Sequence, residues 1–409
     1  MTRLWDKGVP LDQRVLRYTA GEDHALDERL VAYDVRASIA HAEMLCEQKL
    51  LSEEDLAAIR AGLEALSAEH AEGSWKIELA DEDCHTALER RLTERIGPAG
   101  ARIHLGRSRN DQVLAALRLY LRDAVADLAE GARAIGSALD DLAARHFDVP
   151  LPGYTHMQPA MPSTVVLWAG GFASEMRDDA EGFEAALRRI EKNPLGSAAG
   201  YGVPKILPID REATRAKLGF REIHQPATAV QLSRGKAEAQ VLFEIALLLQ
   251  DCGRLAADLV LFSMKELGFV SLPPEMTTGS SIMPQKRNPD VFELIRARTA
   301  AGHGGLLEAL AIPAKLPSGY HRDLQLLKAP LFRGIDLALE TTAILAHALP
   351  GVRFHPEKIH LDPELSAAED AYRLVLEEGI PFREAYARVA ERLARQPLAE
   401  AELELDNHT

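Results

Sequence analysis

Between residues 110 and 149 the chain runs without a proline, and Leu114, Leu117, Leu121, Leu128, Ile135, Leu139 and Leu142 recur along it at spacings of three, four and seven. That period belongs to one helix face. A helix of that span would be on the order of 55 Å long at 1.5 Å per residue. Such a helix cannot bury its own seam; it must lie beside others at a shallow angle, as in a bundle. Two more segments repeat the pattern. Residues 162–192 carry Phe172, Met176, Phe183, Leu187 and Ile190, and residues 241–262 carry Val241, Ile245, Leu248, Cys252, Leu255, Leu259 and Phe262. A shorter helix shows Leu56, Ile59, Leu63 and Leu66 on one face, with Ser52 and Asp55 placed as a cap. No alternating strand run of comparable length is seen. The expected class is all-α, a central long-helix bundle. Helices of this length often bury a second face against other copies, so an oligomer is expected.

Breaks fall at 97–100, 150–153, 272–274 and 349–351, each rich in Pro or Gly. They suggest an N-terminal helical domain over 1–105, the bundle over 106–349 and a small C-terminal helical domain over 350–409. A chain of 409 residues has ample length for more than one core. Its net charge of −15 argues against binding phosphodiester backbone through a basic surface. Anionic small molecules remain open, because a few local cations can dominate a pocket. The three cysteines are odd in number and far apart, which fits a reducing compartment. The opening MTRLWDKGVP lacks the apolar core of a leader. The most apolar stretch, 241–262, is interrupted by Glu244, Asp251, Arg254 and Asp258, too charged to span a membrane unaided. A soluble cytoplasmic protein is expected, with neither nucleic acid nor membrane as partner.

Three polar loops stand out. Gly106-Arg107-Ser108-Arg109-Asn110-Asp111 precedes the long helix. It reads either as a plain helix start, capped by Asn110 or Asp111 with solvated arginines, or as donors converging with a helix N-terminus on a carboxylate. Gly153-Tyr154-Thr155-His156-Met157-Gln158-Pro159 places a histidine, the side chain best matched to proton transfer near neutrality, in a proline-stiffened loop. The third, Gly279-Ser280-Ser281-Ile282-Met283-Pro284-Gln285-Lys286-Arg287-Asn288-Pro289, leads from small residues to two cations and an amide, with a helix expected to begin at Pro289. The run 196–202, Gly-Ser-Ala-Ala-Gly-Tyr-Gly, lacks the lysine and preceding strand of a phosphate loop and reads as a turn between helices.

Taken together these motifs resemble a known family. GSSIMPQKRNP is similar to the signature of the fumarase/aspartase superfamily, and GRSRNDQV, PGYTHMQ and SGYHRDLQLLK resemble the argininosuccinate lyases within it. The resemblance spans roughly residues 15–395, with the motifs in family order. It implies reversible β-elimination of argininosuccinate to arginine and fumarate in arginine biosynthesis, without cofactor or metal. It also implies a homotetramer whose helices form a central bundle and whose sites draw on three different chains.

Carried over position by position, Ser280 matches the base, His156 the other acid/base group and Glu293 the carboxylate that orients it. Lys286 and Asn288 match the groups that meet the charge of the aci-carboxylate intermediate. A serine base needs backbone N–H groups and Lys286 close by, and Gly279 would let the chain wrap around it. Substrate contacts carry over to Ser108, Arg109, Asn110, Thr155 and Ser281, and to Tyr320, Gln325 and Lys328, which include the arginine portion. His85, in an acidic run, matches a histidine near the site; its likeness to a metal site is weak.

Two features depart from the family. Asp23 stands about where a contacting serine is expected; it either binds the cationic portion of the substrate or faces away. The region after Pro350 is shorter than usual, although residues 381–386 look like the family's C-terminal helix pair. The alternatives are a lyase for another succinyl adduct, such as adenylosuccinate, and a non-catalytic crystallin-like relative.

Overall fold

The computed structural model describes residues 12–395. The opening segment on which the leader expectation rests, and the last part of the expected C-terminal domain, lie outside these residues. Chain contacts divide the protein into two compact units. One comprises the chain up to Ile135 with Glu175–Ala256 and Phe292–Ala346; the other comprises Gly136–Ser174, Ala257–Val291 and the chain from His347 onward.

Three long helices form along the three apolar stripes, and two more follow them in the chain. They run Arg109–Arg145, Val165–Ile190, Lys236–Phe262, Asp290–Ala311 and Lys328–Ala348. Every leucine and isoleucine of the first stripe is buried, from Leu114 to Leu142, and so is the whole set from Val241 to Phe262. In the 162–192 segment Met176, Phe183 and Ile190 are fully buried, whereas Phe172 and Leu187 are only half-buried. Burial of each such side chain contributes roughly 1.5–3 kcal/mol, so the stripes outweigh the modest intrinsic helix preferences of the individual residues. In the first unit a shorter helix, Glu53–Ala71, starts at Ser52, whose hydroxyl accepts the Asp55 N–H at 3.1 Å. The class is all-α. No helix among the described residues is long and apolar enough to cross a membrane.

The start of the 162–192 segment differs from the periodic reading. Residues 162–164 are not helical; they end a β-hairpin in which Pro150–Thr155 pairs antiparallel with Gln158–Thr164. Prolines at 150, 152, 159 and 162 hide this ribbon in the sequence, because proline cannot donate to a ladder. A two-stranded ribbon tolerates them, since each strand is paired along one side only. The register shifts between Gly153 and Tyr154, a bulge that aims the tip. The helix after Pro289 begins one residue later than expected, at Asp290. In the second unit the last two helices, Ala367–Glu378 and Phe382–Ala394, meet over buried Ala371, Ala385 and Val389. Tyr372 stacks on Phe382 with ring centroids 5.3 Å apart.

Candidate active site

In the first unit a polar cleft joins segments far apart in the chain. Its walls include Asp23, Asp83, His85, Arg109 and Asn110, and on the other side Tyr320, Gln325 and Lys328. The GRSRND motif reaches it by starting the longest helix. Arg109 is the first helical residue, and Ser108 caps it: the Ser108 hydroxyl accepts the Asn110 N–H at 3.3 Å, and Asp111 accepts the Ser108 N–H at 2.9 Å. The cap is thus Ser108 rather than Asn110 or Asp111. The arginines are not solvated either. Arg107 is buried and donates to the Ser38 hydroxyl at 2.7 Å, and Arg109 is hydrogen-bonded to the Asp83 carboxylate. A capped helix start thus places Arg109 and Asn110 along the cleft, where the helix dipole favours an anion.

His85 is buried near the N-terminus of Cys84–Ile96, and its Nδ1 lies 3.1 Å from Asp34. Burial pushes its pKa down, but Asp34, with Asp83 and Asp27 behind it, outweighs burial and raises it. Asp34 moves the other way: burial opposes ionisation, yet His85, Arg107 and Gln112 hold it below the usual carboxylate range. Asp83 is likewise held at about 2, its burial overcome by His85 and Arg109. The cleft floor is therefore ionic and tightly paired. The carboxylate of Asp27, the thiol of Cys84 and the His85 ring have potential ligand atoms within 4.8 Å of one another. Their chemistry does not suit a metal. Burial raises the Cys84 thiol well above its ordinary value, Asp27 already holds Lys328, and His85 is engaged by Asp34.

Lys328, at the first turn of its helix, is buried with Nζ 2.7 Å from Asp27 and 2.9 Å from Asp23. Burial disfavours its charge, but the two carboxylates more than offset this and raise its pKa. Gln325 donates both to the Thr19 and to the Ala20 carbonyl at 3.1 Å, and Arg322 donates to Thr19 at 2.8 Å and pairs with Glu82 at 3.0 Å. The GYHRDLQLLK segment thus grips the backbone just before Asp23. Asp23 faces the cleft, which settles the orientation the sequence left open. Arg234, unnoticed in the sequence, also lines the cleft. It is buried with Nε 3.6 Å from Glu238, and Nε and one terminal nitrogen make no hydrogen bond among the described residues.

The other expected catalytic groups, Glu293 excepted, belong to the second unit. Thr155, His156 and Met157 form the exposed tip of the hairpin. His156 and Met157 both have positive φ, 54° and 60°. Two successive non-glycine residues in this region cost of order 1–3 kcal/mol each, a strain typical of functional turns. The serine loop is closed at its neck by Thr278 and Asn288, whose backbones exchange hydrogen bonds of 3.2 and 2.9 Å. The Asn288 amide donates to the Thr278 hydroxyl and the Gly279 carbonyl, each at 3.4 Å. Within the loop, Ser280 Oγ receives the N–H groups of Ile282 and Met283 at 3.3 and 3.2 Å. Gly279 plays no visible part in this. A Cβ there would meet nothing within 4 Å, and its φ is not left-handed. Ser281 and Lys286 are exposed. Glu293, in the first unit, pairs with Arg296 at 3.5 Å one turn along its helix.

Comparison with known proteins agrees with these motifs. A family model described as Lyase matches residues 9–301. The chain is 48% identical to the argininosuccinate lyase of Sorangium cellulosum, covering 98% of this chain and 92% of the relative. It is 39% identical to that of Thermotoga neapolitana, covering 96% and 99%. Among solved structures, EDDS lyase in complex with formate aligns with TM-score 0.79 at 27% identity, over 94% of this chain and 76% of the other. A class II fumarase from Schistosoma mansoni shares the fold, with TM-score 0.77 at 18% identity over 94% and 91%. With relatives this similar along almost its whole length, the chain belongs to the argininosuccinate lyase family of the fumarase/aspartase superfamily.

Proposed function

We propose that the chain splits argininosuccinate reversibly into arginine and fumarate, as a step of arginine biosynthesis in the cytoplasm. The observation that carries this is the cleft. It brings Arg109 and Asn110, at a helix N-terminus, to the same cavity as Tyr320, Gln325 and Lys328, more than two hundred residues away. Cations and donors suit the carboxylates of the substrate, while Asp23 suits a cationic portion.

In the elimination, Ser280 takes the proton from the carbon beside a succinyl carboxylate. The two backbone N–H groups on its oxygen support the required alkoxide character. Lys286 and Asn288 meet the charge that spreads into that carboxylate. The carbon–nitrogen bond then breaks, the electron pair of the carbanion forms the fumarate double bond, and the leaving guanidino nitrogen takes a proton from His156. Glu293 orients that imidazole. Ser108, Thr155 and Ser281 complete the contacts to substrate.

These groups come together in a homotetramer whose sites are shared between copies. Support comes from apolar side chains exposed on the first unit's long helices: Phe243, Leu247, Leu294, Leu307 and Leu310. Monomers rarely leave so many uncovered on neighbouring turns. The three cysteines are all unpaired, which fits a reducing cytoplasm.

The test is to incubate purified protein with argininosuccinate, and separately with adenylosuccinate, and follow fumarate by absorbance. Fumarate from the first alone is expected. Fumarate only from the second, or from neither, overturns the reading.

A further inference from the structure

We propose that Asp23 is a specificity residue that reads the free α-ammonium group of the substrate's amino-acid end, so that the site discriminates against substrates acylated on that nitrogen. The inference rests on the proposed function and deepens it.

Three charges are packed together at this end of the cleft. Lys328 Nζ lies between Asp27 at 2.7 Å and Asp23 at 2.9 Å. Asp27 is wholly buried and also accepts the Cys84 N–H at 3.3 Å. The side chain of Asp23 is 12% exposed and lines the cleft, so of the two carboxylates on Lys328 it is the one a ligand can reach. Lys328 meets Oδ2 of Asp23, and no hydrogen bond among the described residues reaches Oδ1. The other carboxylate lining the cleft, Asp83, is already engaged by Arg109. Asp23 is therefore the cleft carboxylate with an oxygen open to a ligand cation.

The ligand cation follows from the neighbours. An ammonium has three protons; two of those on Lys328 go to Asp27 and Asp23, leaving one for an anion. Lys328 and Asp23 side by side thus present a donor and an acceptor to one small dipolar group. An α-amino acid head, with carboxylate and ammonium two bonds apart, fits that pairing. A guanidinium alone would leave the remaining Lys328 proton without an acceptor. Acylating the amine removes the charge and adds bulk against a carboxylate held by Gln325 and Arg322 through the Thr19–Ala20 backbone. A buried charge left unpaired by the wrong ligand is the kind of penalty from which large discrimination arises.

The experiment compares wild type, Asp23→Ser and Asp23→Asn on argininosuccinate and on its Nα-acetyl derivative, measuring fumarate release. Wild type is expected to favour the free amine by about 100-fold or more in kcat/KM, and both variants to shrink that preference below about tenfold. The loss should be carried by KM for the free amine. A role limited to holding Lys328 would weaken both substrates alike and leave the ratio intact, which overturns the proposal; so would equal use of both substrates by wild type. Calorimetric binding of L-arginine against Nα-acetyl-L-arginine gives a readout that needs no turnover. Preference for L-arginine, lost in folded Asp23→Asn, is expected even if argininosuccinate proves not to be the substrate. Equal binding of the two by wild type sinks the assignment of Asp23.

Discussion

The carboxylate of Asp111 accepts the backbone N–H of Ala198 at 2.8 Å, and the same oxygen accepts that of Gly196 at 3.0 Å. The glycine-containing turn that resembles a phosphate loop in the sequence is thus a nest occupied by the protein's own anion. Asp111 is fully buried, and its other oxygen holds the Ser108 N–H. One side chain therefore ties the 196–202 turn to the start of the helix that presents Arg109 and Asn110.

Replacing Asp111 should loosen both. Alanine leaves three N–H groups, that of Gly196 buried, without their acceptor, at about 1–3 kcal/mol for each group that finds no water. Asparagine keeps the shape but turns an NH2 toward donors on one side. Burial, only partly offset by these hydrogen bonds, pushes the Asp111 carboxyl up to about 6. Its ionisation therefore costs some stability, a cost that grows as pH rises from about 4 to about 6 and is constant above that. In Asp111→Ala the thermal midpoint should fall by several degrees, and KM should rise as the Ser108–Asn110 turn moves. A variant with wild-type midpoint and KM would contradict the positioning role.

Much of this was legible before the fold was seen, for a physical reason. A 3.6-residue period sustained over a 37-residue helix survives any single exception, so the stripe from Leu114 to Leu142 declares itself. The hairpin at 150–164 did not, because its prolines mimic a loop. Arg109 and Lys328 stood out as parts of motifs, but their partners did not. The bond from Lys328 to Asp27 spans 301 positions, and nothing local marks Asp27 as its acceptor. Nothing in the sequence marks Arg234, because an arginine beside Gly235 and Lys236 reads like any solvated basic turn. Only the accompanying Glu238, one helical turn on, hinted at a pair.

The His85–Asp34 pair predicts an unusual pH dependence. Asp34 is lowered, so its share of stability is present above the ordinary carboxylate value near 4 and is lost as pH falls below that. His85 is raised, so its share is complete below the ordinary histidine value near 6.5 and is lost as pH rises through its higher folded value. His85→Gln removes the cation and leaves Asp34 with Gln112 and Arg107. Breaking a buried pair in this way costs about 3–5 kcal/mol. Denaturant unfolding across pH should show the largest gap between wild type and variant from about pH 4 to 6.5, narrowing on both sides. A gap that does not vary with pH would mean the pair is not ionised.

The last prediction separates chemistry from folding and tests the shared site. Ser280 sits on an exposed loop, so Ser280→Ala should leave unfolding within about 0.5 kcal/mol of wild type. Fumarate release should nonetheless fall by about 10²–10⁴-fold, the usual worth of a positioned proton-transfer group. His156→Asn, at the strained hairpin tip, should lose activity to a similar degree. If neighbouring copies supply these two residues to one site, chains of the two inactive variants that are unfolded, mixed and refolded together should regain part of the activity. The regained activity should depend on the mixing ratio and vanish when either variant is refolded alone. Hybrids of verified composition that stay inactive would put Ser280 and His156 in one chain's site, and the shared arrangement would fail.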